Sequence, residues 1–170
     1  MMIMSYGGRM NGAFVVLLCM VSCIIHVAES SHCTASGPLP DGFVYDATLN
    51  SCYYFMYIST GTWLEADGAC NRMHSKLVAI ESAAEQTYIW NKITADGQNS
   101  KTFWTGGNNF GPQWRLNRPG ATSLNIVTYS NWNAGEPNNP LLEHCLELST
   151  GGGWNDVPCE SRRFYICELN

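Results

Sequence analysis

Charge is scarce in this chain. Asp, Glu, Lys and Arg make up 14% of its 170 residues, against about 25% in ordinary soluble domains. Only nine residues are Lys or Arg, the sole adjacent basic pair is Arg162-Arg163, and the net charge is −5. Nucleic acid is thereby excluded as a partner, because phosphates need clustered cations. No apolar run reaches the roughly 20 residues of a membrane-spanning helix. Internal repeats, heptads and low-complexity tracts are absent, and so are Gly-x-Ser-x-Gly, His-Glu-x-x-His and Cys-x2-Cys. Those gaps argue against a serine hydrolase, a zinc protease and a structural zinc site. No Asn-x-Ser/Thr sequon occurs, so N-glycosylation is not expected. The length allows one domain, whose core buries about two-thirds of the unfolded surface.

The first thirty residues read as an address. Ala13 to Ile25 is an apolar run, Arg9 is the only charge before it, and Ala28 and Ser30 stand at small-x-small spacing. That is the pattern of a secretory signal, with cleavage expected after Ser30 or after Ala28. The expected organisation is therefore a signal peptide over 1–30 and one domain over 31–170, secreted and without a membrane span. Cys19 and Cys23 leave with the signal. Six of the eight cysteines remain: Cys33, Cys52, Cys70, Cys145, Cys159 and Cys167. An even number on an oxidising route implies three disulfides, among 15 pairings that spacing alone leaves open.

Along the mature chain, Phe43-Val44-Tyr45 and Tyr53 to Ile58 read as strands around an Asn50-Ser51 turn. Thr62 caps a helix to about Met73, with Ala66, Ala69, Cys70 and Met73 on one face. Leu77 to Ile80 is a short apolar strand. Ser82 with Glu85 forms a capping box that opens a second helix, which Asp96-Gly97 ends. From Gly106 to Asn139, Gly, Pro and Asn fill 16 of 34 positions, so most of that stretch should be an ordered functional loop. Strand-like texture returns from Leu146 and ends in Phe164 to Cys167. The pattern is an α+β domain.

Two clusters carry the chemistry. One is Glu136-Pro137-Asn138 followed by Glu143, two residues before Cys145; the other is Trp154-Asn155-Asp156, three residues before Cys159. Each alone is bland: a turn tripeptide, a solvated acid, a core tryptophan. Together they offer three carboxylates and two amide carbonyls, the hard oxygen donors that suit Ca²⁺. Without a cation, three such acids repel and raise one another's pKa.

The chain resembles the C-type lectin domain family in its long form, and looks most like secreted lectins of the invertebrate type. The resemblance spans about Cys33 to Glu168. It rests on Thr62 to Ala66 leading to Cys70, on Leu77 to Ile80, and on Phe103-Trp104-Thr105-Gly106-Gly107. It rests further on Asn131-Trp132-Asn133-Ala134-Gly135-Glu136-Pro137-Asn138 and on Trp154 to Cys159 with Cys167 beyond. The implied fold has two helices, antiparallel sheets and a long calcium-binding loop region. The implied disulfides are Cys33–Cys52, Cys70–Cys167 and Cys145–Cys159, the last drawing the two clusters together. The resemblance also implies that Glu136, Asn138, Glu143, Asn155 and Asp156 bind one Ca²⁺, with Pro137 cis and Trp154 structural. Two vicinal sugar hydroxyls would complete the shell.

The Glu-Pro-Asn order is similar to that of mannose-, fucose- and N-acetylglucosamine-type members; galactose-type members carry Gln-Pro-Asp. Positions that hold acids of an auxiliary calcium site in some members are Asn139 and His144 here, so one ion is expected, with His144 facing solvent. Trp132 is expected in the core, and Trp114 is left undecided. The expected activity is glycan binding without catalysis, as in innate recognition of microbial surfaces. Glu136 and Glu143 could be paired as a glycosidase, but metal ligation would occupy both. The rival is a related domain that binds protein or mineral without sugar. A single monosaccharide site is weak, so useful binding calls for several sites, supplied by a homo-oligomer built through the domain itself or by a partner.

Overall fold

The structure is a computed structural model that describes Cys33 and residues 42–117 and 125–169. The expected signal peptide, residues 1–30, lies outside them. Among the described residues, no helix is long and apolar enough to cross a membrane.

The chain opens with a hairpin of β1 (Val44–Asp46) and β2 (Ser51–Gly61), paired Val44 to Tyr53 and Asp46 to Ser51. Asn50 closes the turn at φ 50°, a conformation Asn tolerates. Ser51 belongs to the strand rather than the expected turn, because its hydroxyl donates to the buried Glu168 carboxylate at 2.8 Å. Cys33 is bonded to Cys52, which stands opposite Tyr45 near the turn of this hairpin.

Helix α1 (Trp63–Arg72) starts at a complete capping box. Thr62 Oγ1 accepts from the Glu65 N–H at 3.2 Å, and Glu65 Oε2 accepts from the Thr62 N–H at 2.9 Å. Helix α2 (Ala83–Ala95) closes only half of its expected box: Ser82 Oγ accepts from the Glu85 N–H. The Glu85 carboxylate goes to the Glu81 N–H and to the Tyr53 hydroxyl, a tertiary partner on β2. Between the helices, only Lys76–Leu77 forms a strand, β3. Val78, Ala79 and Ile80 are buried as expected but leave the ladder: the Val78 N–H reaches Ile166 O, while Val78 O accepts from the Gly106 N–H.

The remaining strands are β4 (Phe103–Asn108), β5 (Arg115–Leu116), β6 (Asn125–Ile126), β7 (Cys145–Leu148), β8 (Trp154–Val157) and β9 (Arg163–Leu169). Their main path runs β1-β2-β9-β4-β5-β6, with β3 on β9 and the β7–β8 hairpin on β4. The ladders are antiparallel except one: β4 and β9 run parallel, joined by the long excursion from Asn109 to Arg162. A parallel pair cannot be closed by a hairpin, so the loop region lies where the topology requires a crossover.

Alternation along the strands fills two cores. Ile166, Phe103, Leu146, Leu148 and Trp154 pack with Tyr53, Ile80, Ile89 and Ile93. Tyr165, Trp104, Cys145 and Val157 pack with Trp63, Leu77, Cys70 and Cys167. Cys70–Cys167 closes a loop of 97 residues' separation, which the chain-entropy model credits with about 4–5 kcal/mol. The glycines of β4 are there for contact: a Cβ on Gly106 would sit 2.8 Å from Leu77 O, and one on Gly107 would sit 2.7 Å from the Leu146 side chain.

Candidate functional site

Trp154 anchors the site from beneath. It is fully buried at the start of β8, and its Nε1–H donates to Gln86 Oε1 at 2.8 Å. Trp132, half-buried, meets it edge-on at 5.7 Å, and Trp114 meets Trp132 at 5.0 Å. Both tryptophans are packing residues. The loop is stitched to β8 by Trp154 N–H to Asn131 O (2.8 Å) and Asn133 N–H to Trp154 O (2.9 Å). The Cys145–Cys159 disulfide ties the outer ends of the β7–β8 hairpin.

From this base the loop turns through Glu136-Pro137, whose peptide bond is cis. It then hangs on Asp156. That carboxylate, 1% exposed, accepts from the Asn138 N–H (3.1 Å) and the Asn139 N–H (3.3 Å). Asn138 Nδ2 donates to Glu136 Oε1 at 2.9 Å. The other oxygen, Glu136 Oε2, is buried with no hydrogen-bond partner. A helical turn follows, with Leu142 and Glu143 N–H groups bonded to Asn139 O.

The electrostatics match the crowding. Burial, and then the Asp156 carboxylate beside it, push the Glu136 pKa up, with Glu143 adding to the shift. Burial, then Asp156 and Glu147, push Glu143 up. Among the described residues, no Lys or Arg offsets the shifts of Glu136 and Glu143, the pattern of acids crowded without a counter-charge.

Thus Glu136, Asn138 and Asp156 are directly connected, and Glu143 joins them through charge. Asn155 does not join by hydrogen bond. It precedes Asp156 on the strand and lies opposite Glu147 in the β7–β8 register. Its Nδ2 donates to Glu147 Oε1 at 3.2 Å. Among the described residues, no three His, Cys, Asp or Glu side chains meet as a metal cage; two of the five donors are amides, and Asp156 is engaged by backbone N–H groups. Pro137 is exposed beside the cluster.

Two features escaped the sequence reading. Glu147 is a buried acid whose other oxygen is gripped by Arg163 Nε; its signal was an acid between Leu146 and Leu148 in a buried strand. His144, expected in solvent, is half-buried, with Nδ1 bonded to Asn109 Oδ1 at 2.8 Å.

A family model described as the lectin C-type domain matches residues 59–169. C-type mannose receptor 2 of Homo sapiens is 33% identical over 129 residues, which is 72% of this chain and 8% of the receptor. The chain therefore spans a small part of that relative. Among solved structures, the mouse scavenger receptor C-type lectin carbohydrate-recognition domain superposes with a TM-score of 0.65 at 28% identity, covering 77% of this chain and 95% of that one. A calcium-independent type II antifreeze protein superposes with a TM-score of 0.62 at 24% identity over 77% of this chain and 93% of its own, a likeness of fold alone.

Proposed function

The chain belongs to the C-type lectin domain family, and from that premise we propose that it binds carbohydrate through Ca²⁺, with a preference for mannose-, fucose- and N-acetylglucosamine-type glycans. The observation that carries this reading is the partnerless, buried Glu136 Oε2 beside Asp156 and Glu143. An orphaned acceptor among like charges is costly unless a cation meets it. The donor set fits Ca²⁺ in kind: hard oxygens only, three carboxylates against two positive charges. Glu136, Asn138, Glu143, Asn155 and Asp156 would hold it. When bound, the ion would supply positive charge that attracts sugar hydroxyl oxygens. The chain's own residues do the discriminating. Glu136 and Glu143 accept from sugar hydroxyls, while the Asn138 and Asn155 amides donate to them, so each hydroxyl has both partners.

The likeness to a carbohydrate-recognition domain and to a mannose receptor supports the same direction. The site binds without making or breaking bonds. Secretion belongs to this reading, with residues 1–30 removed as a signal, as does recognition of microbial or other surface glycans in innate defence, by copies acting together. The deciding experiment is retention of the secreted protein on mannan resin in Ca²⁺. Release by chelator and by free mannose is expected; folded protein that flows through would remove the reading.

A further inference from the structure

Glu147 is an acid only 5% exposed, set between the buried Leu146 and Leu148 of β7, and it is not one of the five donors. Two other strands meet at its carboxylate. Arg163, at the start of β9, donates from Nε to Oε2. Asn155, half-buried on β8, donates from Nδ2 to Oε1 at 3.2 Å. The sheet brings the three together. Glu147 stands opposite Asn155 in the β7–β8 ladder and opposite Trp104 in the β4–β7 ladder. The Arg163 guanidinium lies 5.8 Å from the Trp104 ring. Trp104 is fully buried, and its Nε1–H donates to Gly61 O at 2.8 Å. Gly61 is in turn the partner of Arg163 in the β2–β9 register, so the arginine rests on a fixed surface.

The carboxylate decides a choice that shape leaves open. An Asn amide has an oxygen and an NH2 of nearly equal size, and its two orientations differ only in which partner each end meets. A carboxylate only accepts, so the end of Asn155 that faces Glu147 is the NH2. Inverting the amide would set Oδ1 against Glu147 Oε1, two acceptors in a part-buried site where an unmade hydrogen bond is costly. Arg163 completes the arrangement, because a guanidinium only donates and so demands an acceptor from residue 147. Donors and acceptors thus run in one sense from Arg163 through Glu147 to Asn155. Glu147 is also near enough to the acid cluster for its charge to add to the raised pKa of Glu143.

We propose that Glu147 and Arg163 are positioning residues for Asn155: they set the polarity of its amide, leaving Oδ1 for a cation and the second N–H for a sugar hydroxyl. The proposal rests on the calcium and sugar reading above and deepens it, adding to the donor set a pair of residues that touches neither ion nor sugar. A hydroxyl met by the Asn155 N–H has to accept there, so the pair bears on which hydroxyl arrangement fits.

The test is a variant of equal shape and changed hydrogen-bond sense. In Glu147→Gln, Arg163 still requires an acceptor, so the Gln oxygen turns to Arg163 and its NH2 to Asn155. Asn155 must then invert, which withdraws Oδ1 from the ion. Terbium-luminescence titration of the secreted protein, without sugar, should show a loss of about 100-fold for Glu147→Gln and about tenfold for Glu147→Ala, which leaves the amide free to turn. The isostere should therefore do more damage than the truncation. Glu147→Gln combined with Arg163→Met lets the Gln oxygen turn back to Asn155, and should return the affinity to that of Glu147→Ala or better. Nitrogen-15 spectra in chelator read the amide without any ion. An Asn155 Nδ2 proton should exchange slowly with water in the wild type and lose that protection in Glu147→Gln.

A Glu147→Gln variant that binds terbium as well as Glu147→Ala or better, or whose loss Arg163→Met fails to relieve, would overturn the proposal and leave the calcium reading standing. A merely structural role gives that result, since ion affinity would then follow thermal stability. Folded wild type that binds neither terbium nor calcium would sink the calcium reading, and the positioning role with it. Should the variants misfold, the wild-type spectrum decides: Asn155 Nδ2 protons that are unprotected in chelator would overturn the proposal.

Discussion

Glu147 and Asn155 face each other across the β7–β8 ladder, joined by a 3.2 Å hydrogen bond from the Asn155 amide to a carboxylate that Arg163 grips from its other side. The bond fixes which way the amide points. With one Nδ2 hydrogen on Glu147, Oδ1 and the second N–H are left for other partners.

Glu147→Ala should therefore weaken Ca²⁺ affinity about tenfold, as loss of a supporting hydrogen bond to a ligand residue typically does. A terbium-luminescence titration reads this without any sugar. Arg163→Ala strands the buried acid and should cost about 2 kcal/mol in urea unfolding, less than a fully buried pair because Arg163 keeps 26% of its side chain in water.

Acid should act on the site in two opposed directions. Glu136 and Glu143 both have raised pKa values in the ion-free fold. A raised carboxyl pKa means the folded state takes up protons before the unfolded state does, so ion-free stability rises as pH falls through the raised values. Protonated carboxylates cannot hold the ion, so Ca²⁺ affinity starts to fall at those raised values and mannan retention falls as pH is lowered further, at a lower pH the more Ca²⁺ is supplied. Thermal melts in chelator and resin retention in Ca²⁺, run across one pH series, check both slopes.

Glu168 should give a second pH signature. It is buried on β9, and burial, with Glu85 adding, pushes its pKa up to about 7. Stability in chelator should fall as pH rises from the usual carboxylate range through 7, by on the order of 3 kcal/mol in all. Glu168→Gln should flatten that slope, since an amide can still accept from the Ala79 N–H and donate to Ser51 Oγ.

The two helix starts should respond differently to mutation. Thr62→Ala removes one half of a closed box and should cost about 1 kcal/mol. Glu85→Gln touches the Tyr53 hydroxyl and the Glu81 N–H rather than a reciprocal cap, so its effect should track Tyr53→Phe in a double-mutant cycle in urea.

That contrast also marks what the sequence could and could not say. Local chemistry was readable: the Thr62 cap, the helical face of Ala66 and Cys70, and the three disulfides through a family resemblance. Partners distant along the chain were not. Nothing near Glu85 announces Tyr53, and nothing near Glu147 announces Arg163, because those pairs exist only after β2, β7 and β9 are placed. Asn155 and Asp156 read as one motif, yet they take different partners, Glu147 for one and the Asn138 and Asn139 N–H groups for the other. The parallel β4–β9 pair follows from connectivity, which no single strand reports.

The central claim turns on one carboxylate. Glu136→Gln removes the partnerless oxygen's charge and keeps its shape. The account expects wild-type protein to bind mannan in Ca²⁺ and leave in chelator, while the variant, folded and ion-free as stable or more so, flows through. Retention of Glu136→Gln equal to wild type would contradict it.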